Sequence, residues 1–248
     1  MTIQRIRSLP TRLIEKRMEA AAKRFYQQST EAENDAERIA FFSTFDSIQI
    51  LVEEARQLPV YQQIRASAQS PDSAIRLAAA QTTSLDDCVT MYVLVRLKQP
   101  LVMVETGVFY GAMSAMILHA MQRNGSGRLI SIDLPNEADG LDPKLRGALV
   151  PDRLQANWRL ILGDSRVALP RILSELGTVD AFNHDSLHST RHMTWEFETA
   201  WSKVPPGGFL SSHDVLTTPS WERFGREHQS QLAGFGRVYG LGIAYKRA

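Results

Sequence analysis

Two short segments hold most of the residues able to do chemistry. Asn183-His184-Asp185-Ser186-Leu187-His188 follows an apolar run from Val179 to Phe182, and Ser211-Ser212-His213-Asp214 ends a run opened by Gly207-Gly208. Together they bring two carboxylates, Asp185 and Asp214, to as many as three imidazoles, His184, His188 and His213. Such a set can bind a divalent cation, deprotonate a hydroxyl, or do both. The plainer alternative is that the two acids order loops by accepting backbone N–H bonds, with His184 and His213 in supporting roles. His192 and His119 fall on helical patterns and read as surface or packing residues, as Trp195 and Phe197 read as core.

These segments need elements to hold them, and the stretch from Leu101 to Pro135 shows which. An apolar run, Leu101 to Val104, ends in Glu105 and then in a glycine turn from Gly107 to Gly111. A helix pattern follows, and a second apolar run, Leu129 to Ile132, ends in Asp133. Strand, turn, helix and strand, with an acid closing each strand, describe the ligand edge of an open parallel sheet. Glycine lets a ligand approach the backbone, and Asp133 is placed to accept hydrogen bonds from ribose hydroxyls. The spacing is E-x-G-x-x-x-G, with Phe109 where a dinucleotide turn has its second glycine, and no Gly-Lys-Ser/Thr of a P-loop follows. Glu105 would repel a phosphate and suits a cation such as an α-ammonium. A ligand with adenosine at one end and an amino acid at the other meets all three conditions.

At this point the sequence resembles the class I S-adenosylmethionine-dependent methyltransferases. Glu105-Thr106-Gly107 with Gly111 looks like their first motif, Asp133 like their ribose acid, and Gly163-Asp164-Ser165 like the segment that cradles adenine. Pro205-Pro206-Gly207-Gly208 resembles the turn before their fifth strand, and the likeness spans roughly residues 80 to 248. The resemblance implies cofactor contacts at Glu105, Thr106, Gly107, Tyr110, Gly111, Asp133, Gly163, Asp164, Ser165 and Asp185. Met113 stands where many relatives place a small hydroxyl residue, and Ser114 is the expected substitute.

Phe182 to His188, followed by Met193-Thr194-Trp195-Glu196-Phe197, narrows the resemblance to small-molecule enzymes grouped with the macrocin and mycinamicin sugar O-methyltransferases and cephalosporin hydroxylase-like proteins. That likeness implies O-methylation of a small hydroxylated acceptor, with His188 as base and Asp185 and His213 beside it. It also implies magnesium on Asp185 and Asp214, although Val215 replaces a further acid that the sugar enzymes carry. The competing expectations are metal-free methyl transfer to nitrogen or carbon, and a fold-preserving protein that does not transfer methyl groups.

The alternation beyond Pro100 predicts an α/β fold: a Rossmann-like, doubly wound, mostly parallel seven-stranded sheet with an antiparallel last strand. Strands are expected at 101–105, 128–133, 158–162, 179–183 and 208–212, then a closing antiparallel pair, 236–239 with 241–246. Helices are expected at 111–123, 165–176, 189–203 and 219–230, and the loop from Asn136 to Asn157 is long enough to act as a flap. Residues 1–98 read as a helical cap, serving as a lid or a homodimer surface, and 99–248 as the cofactor-binding domain. Within the cap, Thr11 to Gln28 and Ala36 to Gln57 are expected as helices, with Ser84 capping another through Leu97. A net charge of +1 gives no electrostatic case for nucleic acid or an anionic membrane. Cys88 is the single cysteine, and no apolar run approaches the length of a bilayer span. With no signal-like apolar segment at the amino terminus, the expectation is a soluble cytoplasmic protein.

Overall fold

The computed structural model describes residues 11–69, 71, 84–135 and 142–248. Five helices come first: α1 (Thr11–Gln28), α2 (Glu31–Phe41), α3 (Ile48–Arg56), α4 (Pro59–Ala68) and α5 (Leu85–Lys98). Then strands and helices alternate: β1 (Val102–Thr106), α6 (Ala112–Asn124), β2 (Arg128–Asp133), β3 (Trp158–Leu162), α7 (Ser165–Leu176), β4 (Ala181–His184), α8 (Thr190–Trp201), β5 (Phe209–Ser212) and α9 (Ser220–Glu227). The hairpin of β6 (Leu232–Val238) and β7 (Leu241–Lys246) closes the chain.

The strands form one sheet in the order β3-β2-β1-β4-β5-β7-β6, parallel from β3 to β5, with β7 antiparallel to both neighbours. This is the Rossmann-like sheet expected from the alternation. The strand order reverses at β1, between β2 and β4, so the ligand crevice belongs outside the carboxyl ends of these strands. Register then fixes the neighbours: Thr106 pairs with His184, and His184 with Ser212. The residues that follow, Gly107, Asp185 and His213, are therefore side by side at that edge.

One hydrophobic core lies between the sheet and the helices on its first face, joining Met103 and Leu129 to Met116 and Ile117 of α6. The same core takes in Phe42, Ile48, Val52 and Tyr61, so the amino-terminal helices are continuous with the domain they cover. The central piece is α5, apolar on all sides and buried from Asp87 to Val95, as befits a helix surrounded by protein. A second core under α7, α8 and α9 holds Leu169, Phe182, Phe197 and Trp221. Trp221 stacks on Phe235 and donates its indole N–H to the Gly236 carbonyl at 3.2 Å.

The single helix expected over Ala36 to Gln57 is two. Ser43-Thr44-Phe45-Asp46-Ser47 interrupts it, with Ser47 in the left-handed region at φ 68°. Short polar side chains compete with the helix for backbone hydrogen bonds, and a run of them outweighs the apolar spacing around it. Phe42, Ile48 and Val52 are buried, while Ile39 and Phe45 are each 36% exposed. The chain enters α2 through a capping box: Thr30 Oγ1 accepts from the Glu33 N–H, and the Glu33 carboxylate accepts from the Thr30 N–H. No helix among the described residues is long and apolar enough to cross a membrane.

Candidate active site

A cavity of about 860 Å³ opens at the carboxyl edge of the sheet. Its walls come from the β1 turn, the ends of β2 and β3, the loops after β4 and β5, and Tyr26 and Ser84 from the amino-terminal helical region. Five non-glycine residues among those described have a left-handed backbone, and three of them, Phe109, Asp214 and Tyr239, line this cavity. Such strain gathers where a site over-determines its backbone.

Of the predicted cofactor contacts, Gly107, Asp133, Gly163, Asp164, Ser165 and Asp185 line the cavity. Glu105, Thr106, Tyr110, Gly111 and Ser114 do not. Strand alternation explains the two β1 residues: Glu105 shares a face with Met103 and turns toward α6, whereas Thr106 turns toward α8. Glu105 is fully buried and accepts from the hydroxyls of Ser114 and Ser131, the latter at 2.6 Å. Ser114 is thereby committed to Glu105, not to the cavity in place of Met113. Trp158 Nε1 donates to Ser131 Oγ at 2.7 Å and extends the buried network to β3.

Burial pushes the Glu105 carboxyl up to about 8, against the serine hydrogen bonds that lower it. The folded state thus holds a proton that the unfolded chain releases near pH 4.3. The stability this contributes is full below that value and drains away as pH rises through about 8. Glu105→Gln is therefore expected to gain stability relative to the wild type between pH 5 and pH 9, by a few kcal/mol at the alkaline end. Melting temperatures across that range would check it; parallel pH profiles would show that Glu105 ionises normally.

The glycine turn is shaped as much by protein as by any ligand. A Cβ on Gly107 would sit 2.0 Å from the Asp185 carbonyl oxygen, and one on Gly111 would sit 2.8 Å from Gly147 Cα. The segment over Gly111 contains a 3-10 turn, Pro143–Leu145, and is pinned by Gly147 N–H to Phe109 O and Leu149 N–H to Tyr110 O, both 2.9 Å. This is the described part of the expected flap; residues 136–141 lie outside the described residues. It also delivers Arg146, whose buried guanidinium pairs with Asp133 at 2.8 Å. Asp133 Oδ2 further accepts from the N–H groups of Val108 and Phe109, and Oδ1 accepts from that of Leu134. The acid expected to hold a ribose is thus built into the turn by four donors.

The imidazoles and carboxylates of His188, His213, Asp185 and Asp214 line the same cavity. His188 Nδ1 lies 3.4 Å from Asp214 Oδ2, and its Nε2 lies 3.7 Å from Asp185 Oδ1. His213 Nε2 is 3.1 Å from Asp87 Oδ2, and its Nδ1 is 2.9 Å from Asp185 Oδ1 and 3.8 Å from Asp214 Oδ2. Asp87 comes from the first turn of α5, is fully buried, and also accepts from the Gly240 N–H at 3.1 Å. Tyr26 of α1 donates to Asp214 Oδ1 at 3.2 Å. Burial dominates at His188 and lowers it to about 4, so it is neutral at pH 7. At His213 burial also works against charge, but Asp185 and Asp214, with the contacts to Asp185 and Asp87, raise it well above the ordinary histidine range.

Behind this row lies Glu196, fully buried on α8. Its carboxylate meets His184 Nδ1 at 2.6 Å and His192 Nε2 at 2.8 Å, and accepts from the hydroxyls of Thr106 and Ser186. Burial opposes its ionisation, yet His184 and these hydrogen bonds hold its carboxyl well below the usual range. His192, read from sequence as peripheral, lines the cavity and also faces Ser165 Oγ at 3.2 Å. The sequence signal was available: His192 and Glu196 are four apart on one helix face. Asp87 and Tyr26 carried no comparable signal. His119 stands outside this site, 3.4 Å from Arg153.

With the geometry established, comparison with known proteins is informative. Residues 104–215 match the family model of a methyltransferase domain. Among solved structures, a Klebsiella pneumoniae protein provisionally named an O-methyltransferase matches with TM-score 0.56 and 14% identity over 77% of this chain and 91% of that one. The O-methyltransferase TomG of Streptomyces achromogenes, involved in tomaymycin synthesis and solved with S-adenosylmethionine, gives 0.53 and 15% over 80% and 90%. An O-methyltransferase from Bacillus cereus, solved with S-adenosylhomocysteine, gives 0.53 and 15% over 79% and 90%. No curated protein matches the sequence significantly. At such identities the structural likeness speaks to the fold, and the family match to the segment that carries the motifs. Residues 104–215 are thus similar to a methyltransferase domain, and the chain shares the fold of these O-methyltransferase structures.

Proposed function

We propose that the protein transfers the methyl group of S-adenosyl-L-methionine to a hydroxyl of a small acceptor. The observation that carries this reading is that the imidazole–carboxylate row of Asp185, His188 and His213 opens into the same cavity as Gly107 and Asp133. A volume of about 860 Å³ lies within the range of small-molecule sites. It suits a cofactor and a modest acceptor better than a polymer.

Gly107, Asp133 and the Gly163–Ser165 segment would hold the cofactor, with Asp133 Oδ1 the oxygen less encumbered for a ribose hydroxyl. When bound, S-adenosylmethionine supplies a sulfonium methyl that is already electrophilic. The protein's first task is therefore alignment of the acceptor oxygen, worth roughly 7–11 kcal/mol where it is good. Tyr26, Tyr239 and Leu187 offer the acceptor a wall next to the row. The second task is to take the hydroxyl proton, and His188, neutral in the metal-free protein, accepts it. His213 is already protonated there and orients Asp185. The amino-terminal helices act as a cap, since Tyr26 and Asp87 reach the row from that side.

Magnesium on Asp185 and Asp214 does not fit this arrangement. Magnesium favours oxygen ligands, whereas the side chains converging here, Asp185, His188 and His213, offer one carboxylate and two imidazoles. Asp214 is drawn aside by Tyr26 and faces His188 Nδ1.

The test is incubation with methyl-labelled S-adenosylmethionine and a panel of hydroxylated and aminated small molecules, with products located by mass spectrometry. Label on oxygen supports the proposal; label confined to nitrogen or carbon would replace it. Asp133→Asn is expected to weaken cofactor binding by about 1–3 kcal/mol as a charged hydrogen bond is lost. Calorimetry reads this directly, and unchanged affinity in a folded variant would place the ribose elsewhere.

A further inference from the structure

We propose that Asp185, His188 and His213 form a binding site for a divalent transition-metal ion of the zinc or cobalt class, with Asp87 and Asp214 orienting the two imidazoles. One ligand atom from each of the three residues lies within 4.8 Å of the others. Asp185 Oδ1 stands 2.9 Å from His213 Nδ1 and 3.7 Å from His188 Nε2. Two ligands at about 2.0–2.1 Å from a tetrahedral ion stand about 3.3 Å apart, so these spacings bracket the value required.

The tautomers follow from the outer partners. His213 Nε2 faces Asp87, and His188 Nδ1 faces Asp214. Each imidazole thus has one nitrogen on a carboxylate and its other nitrogen turned toward Asp185. That is the carboxylate–histidine–metal arrangement, in which the outer acid fixes the ring and raises its basicity. The two inward nitrogens, His188 Nε2 and His213 Nδ1, are buried and both face Asp185 Oδ1, and at 3.7 Å His188 Nε2 is too far from it for a hydrogen bond. An ion supplies the partner that His188 Nε2 lacks.

The outer carboxylates are held in turn. Asp87 accepts from the Gly240 N–H, and a Cβ on Gly240 would lie 2.8 Å from Asp87 Oδ2 and from the Tyr26 hydroxyl. Tyr26 holds Asp214. Two imidazoles with one carboxylate favour ions that accept nitrogen, and three protein ligands leave a coordination position open. The catalytic consequence, an acceptor hydroxyl made more acidic at that position with His188 serving as ligand instead of base, rests on the methyl-transfer reading. Binding of the ion does not, so it is measured without cofactor or acceptor.

The experiment is titration of the chelator-treated, full-length protein with cobalt(II), followed by its visible absorption, and with zinc in competition with a chromogenic chelator. One equivalent is expected to bind, and a hundredfold excess of magnesium is expected not to displace it. His188→Ala and His213→Ala should each abolish stoichiometric binding while the circular dichroism spectrum stays folded. Asp87→Asn should weaken binding by about 10–100-fold; if that buried substitution prevents folding, Asp214→Asn carries the same expectation at the other ring. Absence of stoichiometric binding by the folded wild type would overturn the proposal. So would undiminished binding in the folded His188→Ala/His213→Ala double variant, or displacement by magnesium. Failure of methyl transfer with intact cobalt binding would count against the proposed reaction alone.

Discussion

His188→Ala is expected to lower turnover by about 10²–10⁴-fold, the usual worth of a positioned acid–base group, while S-adenosylmethionine affinity stays nearly unchanged. His188 lines the same cavity as Gly107 and Asp133. With no ion bound, its loss would remove the proposed proton acceptor; with the proposed ion, it would remove a ligand; neither touches the turn that would hold the cofactor. His188→Gln is expected not to rescue, because an amide of similar size can neither take the proton nor coordinate an ion as imidazole does. The checks are steady-state kinetics beside calorimetry on the same preparations. Near-normal turnover in the alanine variant would remove His188 from the reaction, and a parallel loss of cofactor affinity would make it a binding residue.

Glu196→Ala is expected to destabilise the fold by about 3–5 kcal/mol, the cost of leaving buried charge partners unpaired. The carboxylate is fully buried and joins His184, His192, Thr106 and Ser186, so its removal strands groups on β1, β4 and α8 together. Since its folded-state pKa is depressed, its contribution is present above the ordinary glutamate range and is lost as pH falls through and below that range. Glu196→Gln should therefore unfold closer to the wild type at pH 4 than at pH 7. Urea denaturation at both pH values measures this. A loss under 1 kcal/mol at pH 7 would show that the network is dispensable.

The gathering of the site residues at one edge was legible in the sequence because it needed only strand ends and sheet direction. Gly107, Asp133, Asp185 and His213 each follow or close a strand, and parallel register brings their strand ends to one edge. Orientation was harder. Glu105 also closes a strand, but its face depends on which helix lies behind β1, and it turned toward Ser114 instead of the cavity. Gly111 kept its expected backbone at φ 86°, yet the neighbour that demands it is Gly147, thirty-six residues on and inside a loop with no periodic signal. Most remote of all were the groups that complete the row: Tyr26 meets Asp214 across 188 residues, and Asp87 meets Gly240 across 153. Contacts between a helical cap and a sheet edge have no local pattern to announce them.

These residues converge on one claim, that the cavity between the β1 turn and the His188 row takes S-adenosylmethionine as methyl donor. Calorimetric titration of the folded, full-length protein with S-adenosylmethionine tests it most directly. The expected result is saturable binding at one site per chain, weakened in Asp133→Asn and retained in His188→Ala. No detectable binding by the folded protein, or binding indifferent to Asp133→Asn, would contradict the account.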